Sequence, residues 1–186
     1  MAEIQSNNRF GLNTDAQKLE LTESGAYEKK EVVIVDSVKA LTLFERAMVA
    51  LSDWAGPDGK ASAGIDYQEK ETGTIIYKGK YSLGFKKVTF LGDGWERYAD
   101  FSLKVRCKDG RAQVTVTIPT ITGFFRPRSI TRTYSIEELQ NAVDKSKGAK
   151  HERGIKLMKD LIDITNDLIS SMSDFLKNKN NSDDDF

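Results

Sequence analysis

The sequence predicts an α+β fold: a curved antiparallel sheet of about five strands with helices packed on one face, plus a long C-terminal amphipathic helix. Three observations predict it. A hairpin centred on Asp109-Gly110 has two strands that agree residue by residue. Leu41, Phe44, Met48 and Leu51 recur at helical spacing in the first half, and a longer stripe runs from Leu157 to Phe175 in the second.

The hairpin is the strongest of these. Asp-Gly suits a two-residue turn because both central positions need positive φ. Counting outward pairs Cys107 with Ala112, Val105 with Val114, Leu103 with Val116 and Phe101 with Ile118. Arg106–Gln113, Lys104–Thr115 and Ser102–Thr117 fall on the other face. One face is apolar and one polar on both strands, the pattern of a sheet covered on one side.

The remaining elements follow in chain order. Residues 1–17 are polar, rich in Asn, Gln and Ser, and read as a flexible segment. From Leu19 to Val35 the pattern is strand-like, best at Val32-Val33-Ile34-Val35, and Asp36-Ser37 offers a helix N-cap. The Leu41–Leu51 stripe follows, and Gly56-Pro57 stops that helix. Ile65 and Tyr67 alternate with polar neighbours, Lys70–Gly73 turns the chain, and Ile75, Tyr77, Gly79, Tyr81, Leu83 and Phe85 share one side of the next strand. Gly79 suggests the bend that curves the sheet. Gly92-Asp93-Gly94 is a loop into the hairpin, and Gly123–Arg128, with Pro127, reads as irregular. Ser135 and Glu138 form a capping box before a helix over 136–147, ended by Gly148. The last helix spans 150–177, carrying Leu157, Leu161, Ile164, Leu168, Met172 and Phe175 on one face, before an acidic tail over 178–186 that reads as disordered. The result is one domain over 18–177 with its core in 31–122.

Several of these segments carry a family likeness. The strand Val32-Val33-Ile34-Val35-Asp36, the helix from Leu41 to Trp54, the Tyr67–Ile76 segment with its Glu71-Thr72-Gly73 turn, and the Phe101–Val114 hairpin occur in that order. Over about residues 31–122 this resembles a bacterial domain family of unknown function with a TATA-binding-protein-like fold. The resemblance implies that fold, and a secreted or envelope setting; it carries over no catalytic residue. Shared fold is weak evidence for shared function.

Composition excludes little and points nowhere strongly. With 28 basic and 28 acidic residues the net charge is zero, so no global field draws in nucleic acid or anionic lipid. One cysteine allows no internal disulfide, and no stretch is apolar and long enough to span a bilayer. Met1 to Phe10 lack the apolar core of a signal peptide. Two compartments stay open: cytoplasm, or periplasm and exterior after removal of a signal.

Candidate chemistry is sparse. Cys107 faces the apolar side of its strand and reads as a core residue, so a Cys–His pair with His151, the single histidine, is disfavoured. One Cys and one His supply too few zinc ligands, neither Asp58-Gly59 nor Gly92-Asp93-Gly94 has the alternating acids of a calcium loop, and there is no phosphate-binding glycine motif. Glu69 and Glu71 lie in a turn beside Lys70 and read as ordinary surface acids. No catalytic, cofactor or metal residue is assigned.

Local charge is more suggestive. Arg126–Lys159 holds nine Lys/Arg against four Asp/Glu, and Phe124, Phe125 and Tyr134 are interleaved with Arg126, Arg128 and Arg132. Arginines beside aromatics can hold single-stranded nucleic acid. The expected function is nonetheless a non-catalytic binding or structural module of unknown ligand or protein partner. Nucleic-acid binding through Phe124–Lys159 is the alternative, and an enzyme whose carboxylates meet only in three dimensions is the third reading. The last helix is expected to pack within the chain, with homodimerisation through it second.

Overall fold

The Asp109-Gly110 turn joins two long strands, β4 (Gly94–Lys108) and β5 (Arg111–Phe125). From Lys108–Arg111 outward to Ser102–Thr117 every pair stands as counted. Leu103, Val105, Val114 and Val116 are fully buried along the inner face. The Phe101–Ile118 pair breaks the count, because the register shifts between Asp100 and Ser102 and Asp100 meets Thr120. The extra residue on β5 falls where Pro119 stands, which has no N–H to give to a ladder. This bulge keeps the inward alternation intact, since Ala99 and Ile121 beyond it are again buried.

The structure is a computed structural model and describes residues 19–52, 54, 56, 59–87 and 94–178. The expected flexible segment 1–17, Pro57 and Asp58, the Gly92-Asp93 part of the loop, and the tail beyond residue 178 lie outside the described residues. Besides the hairpin strands the sheet contains β1 (Tyr27–Ile34), β2 (Ala61–Glu69), β3 (Thr74–Lys87) and β6 (Ile130–Ser135). The order is β1-β5-β4-β3-β2, with every neighbouring pair antiparallel. β6 also lines β5: β1 pairs with residues 111–118 of β5 and β6 with residues 120–125, so two strands share one edge end to end. Among the described residues the sheet therefore has six strands, the five of that order and β6, in keeping with the expected antiparallel sheet of about five. Gly123–Arg128, expected to be irregular, completes β5 and then reverses through a 3-10 turn, Arg126–Arg128, that accommodates Pro127 near its start.

Other expectations shift locally. The first strand begins at Tyr27, not Leu19, because a turn from Thr22 to Ala26 precedes it, with the Thr22 N–H donating to Ala26 O at 2.8 Å. Helix α1 (Ala40–Ser52) is not capped by Asp36 or Ser37. Ser37 sits in a turn at φ 64°, and the Ala40 N–H donates instead to Asp109 Oδ1 at 2.8 Å. The Gly110 N–H also donates to Val38 O at 2.8 Å, so the hairpin tip is fastened to the start of the helix. The buried face of α1 is Leu43, Phe44, Ala47 and Leu51, while Leu41 is 45% exposed and Met48 only partly covered. The 43-47-51 stripe, spaced by fours, is the one that meets the sheet.

Curvature does not come from Gly79. Register shifts occur between Ile65 and Tyr67 and between Ser82 and Phe85, beside Gly84 at φ 81°. The second shift turns Phe85 outward, where it is 54% exposed. Gly79 lies on a regular rung between Ala63 and Phe101, and its missing side chain lets β2 approach.

Helix α2 (Ile136–Asp144) has the expected capping box: the Glu138 N–H donates to Ser135 Oγ at 3.1 Å and the Ser135 N–H to Glu138 Oε2 at 2.8 Å. It ends at Asp144, before the expected 147, and Gly148 precedes α3 (Ala149–Lys177). α3 buries Met158, Leu161, Ile164, Leu168, Ile169, Met172 and Leu176, whereas Leu157 and Phe175 are only partly covered. It packs within the chain, against β1, β5, α1 and α2. Arg46 donates to Leu176 O at 3.1 Å and Lys29 to Asn166 Oδ1 at 2.5 Å, fastening it at two points. No helix among the described residues is long and apolar enough to cross a membrane.

Cys107 is buried as expected, and burial pushes its thiol up to about 12. It is therefore neutral near pH 7 and shielded. A thiol-reactive chromophore should label it far more slowly in the native protein than in denaturant; equal rates would put the β4 register in error.

Candidate functional site

Past the Pro119 bulge, the inward face of β4, β5 and β6 extends beyond the main core. The pairs Trp95–Phe125, Arg97–Gly123, Gly123–Arg132 and Ile121–Tyr134 place these side chains on one face, toward the helices. Leu139 of α2 and Leu157 of α3 close the other side, leaving a pocket of about 270 Å³. The indole of Trp95 lies 5.3 Å from the Phe125 ring, and the Arg132 guanidinium sits 5.5 Å from the indole centroid, a cation–π distance. Gly123 leaves room for that indole: a Cβ there would lie 3.1 Å from Trp95 Cε3.

Arg97 is the unusual member. One terminal nitrogen donates to Leu83 O across a long 3.5 Å, while Nε is buried with no acceptor among the described residues. A buried donor left unpaired costs about 1–3 kcal/mol, more on a charged group. Lys86 also lines the pocket, and among the described residues no Asp or Glu does.

The linear cluster Phe124, Phe125, Arg126, Arg128 and Arg132 is divided by the strand period. Phe125 and Arg132 join the pocket face around Trp95. Phe124 pairs with Glu96 on the opposite face, where Arg126 meets Glu96 at 2.5 Å and Tyr98 donates to Glu96 Oε2 at 3.0 Å. Arg128 stays exposed in the 3-10 turn. Trp95 and Arg97 were missed by sequence reading. Extending the hairpin count through the bulge would have placed them.

The outer face of the sheet carries a polar cluster around Asp100. Asp100 accepts from Lys80 at 2.6 Å, Thr120 at 2.7 Å and Thr122 at 2.8 Å. Burial alone would raise its pKa, but these donors outweigh it and hold the carboxyl below its usual range. Its contribution to stability is then complete above the unfolded value of 3.8 and lost as pH falls through the lower folded value. Asp100→Asn should accordingly flatten the fall in stability below about pH 5, measured by urea titration at several pH values; an unchanged slope would remove the network. Nearer the hairpin tip, Arg106, Lys108 and Arg111 have no ion pair among the described residues and line a 210 Å³ groove with Val32 and Gln113. A 390 Å³ pocket lies elsewhere, between β3 and α3, lined by Lys60, Asp160, Asp163 and Asp167.

Nothing resembling a nucleophile–base pair is assembled from the candidates. His151 Nδ1 lies 3.0 Å from Val143 O, between α2 and α3, while Cys107 is buried under the sheet's inner face. Glu69 accepts from Thr72 at 2.6 Å, and that bond, with one from Tyr67, lowers its pKa, the wrong direction for a general acid. Among the described residues, no group of three or more His, Cys, Asp or Glu is placed to hold a metal.

Residues 30–121 match the family model described as a domain of unknown function (DUF4468) with TBP-like fold. Two solved structures share the architecture. A TBP-like protein from Parabacteroides distasonis superposes with a TM-score of 0.62 at 16% identity, covering 84% of this chain and 96% of that one. A DUF4468 family protein from Bacteroides ovatus gives 0.62 at 13% identity, covering 90% and 95% respectively. No curated protein matches.

Proposed function

Starting from a chain that carries a DUF4468 domain over residues 30–121, within an α+β TBP-like fold, we propose that the protein is a non-catalytic binding module whose ligand enters the Trp95 pocket. The observation that carries this reading is Arg97, which lines a pocket walled by Trp95, Ile121, Tyr134, Leu139 and Leu157 and whose buried Nε has no acceptor among the described residues. Ligand sites typically combine apolar walls with a few placed polar groups. The reading includes a bacterial-envelope setting, which cell fractionation tests.

A screen of small aromatic and aliphatic compounds by thermal shift is the direct experiment. A ligand at one hundred times its Kd adds about 2.7 kcal/mol of stability. Trp95→Ala should abolish that shift; a ligand that stabilises the variant equally would overturn the assignment. The nucleic-acid alternative has less support, because Arg126 is paired with Glu96 and Arg132 is held over Trp95. An oligonucleotide titration at two salt concentrations separates the readings, and no salt-dependent affinity is expected.

A further inference from the structure

Resting on that reading of the pocket, we infer that its ligand is a small planar aromatic acid. Three features fix the class. At about 270 Å³ the pocket is slightly below the usual range for drug-sized ligands, which limits the occupant to one or two rings. Its walls are the Trp95 and Tyr134 rings with Ile121, Leu139 and Leu157, a surface that rewards a flat apolar body and gives a sugar little to bond.

The charges supply the rest. Lys86, Arg97 and Arg132 line the space, and among the described residues no carboxylate lines it and none of the three has an ion pair. A guanidinium presents a fork of donors that matches a carboxylate. Arg97 spends a terminal N–H on a long 3.5 Å bond to Leu83 O, and a carboxylate in the space would give its guanidinium the anionic partner it lacks among the described residues. Arg132, over the indole, holds a second cation at the same aromatic wall. A cationic ring would be repelled by these three groups, and a neutral one would leave their charge uncompensated.

The test uses three probes of one shape: 2-naphthoate, 2-naphthylmethanol and 2-naphthylmethylamine. Binding is read from the indole N–H resonances of the whole protein. Trp54, packed against Tyr77 and Phe175 at the other end of α3, serves as an internal control. The naphthoate should move the Trp95 signal alone, with at least tenfold tighter binding than the alcohol and no binding of the amine. Arg97→Met should erase the tenfold preference and Arg97→Lys restore part of it. If Arg97→Met does not fold, Arg132→Gln and Lys86→Met should each narrow the preference. An alcohol bound as tightly as the acid overturns the acid inference and leaves the binding-module reading standing. A preference that survives the charge variants overturns it as well, and failure of all three probes to move Trp95 overturns both.

Discussion

Replacing Leu103 with alanine is expected to cost about 3 kcal/mol, within the range for a large-to-small change in a sealed core. Leu103 is fully buried on β4, between Tyr77 of β3 and Val116 of β5, both also buried. Neighbours on both sides are pinned by ladders, so the cavity cannot collapse easily. For a chain of this length that loss corresponds to a fall in Tm of roughly 6–12 °C. Leu41→Ala provides the contrast: Leu41 is 45% exposed on α1, and the change should stay within about 0.5 kcal/mol. Urea titrations with an unchanged slope would check both. Similar losses for the two would mean that α1 turns a different face to the sheet.

The second large effect concerns two glycines on adjacent strands. A side chain at Gly79 would run into Ala63 Cβ and the backbone oxygen of Ser62, so β2 must move away. Gly79→Ala should cost about 1–3 kcal/mol and Gly79→Val more, with loss of hydrogen-exchange protection along β2. Gly64 lies on β2 with open space where its Cβ would stand. Gly64→Ala should be neutral or stabilising by up to about 1 kcal/mol, because glycine weakens a strand by its conformational freedom. Equal penalties at both positions would mean that the steric contact is not what holds glycine at 79.

Local chemistry was legible in the sequence and distant chemistry was not. Asp109-Gly110 and the Ser135–Glu138 box act within a few residues, so turn type and capping rules reach them directly. The α1 cap comes instead from Asp109, 69 residues away, and no local pattern at Asp36-Ser37 could reveal it. β6 is short and mostly exposed, with the sequence Ile-Thr-Arg-Thr-Tyr-Ser, so it has no core face to produce a strong alternation. Its pairing with β5 also hides behind Pro127, which reads as a breaker until the 3-10 turn is seen to use it. The candidate site shows the same division. Phe125 and Arg132 stood out because a window of sequence holds them together. Trp95 and Arg97 belong to the same pocket through β4, and Leu157 reaches it from α3.

The pairing of β1 with β5 also sets an order of events in time. Tyr27 meets Ile118, a separation of 118 − 27 = 91 residues. During synthesis at about 5–20 residues per second, the N-terminal strand waits roughly 5–18 s for its partner to leave the ribosome. Throughout that interval the Val32–Val35 run has no sheet to join, and it is this segment that a chaperone on the nascent chain would be expected to hold.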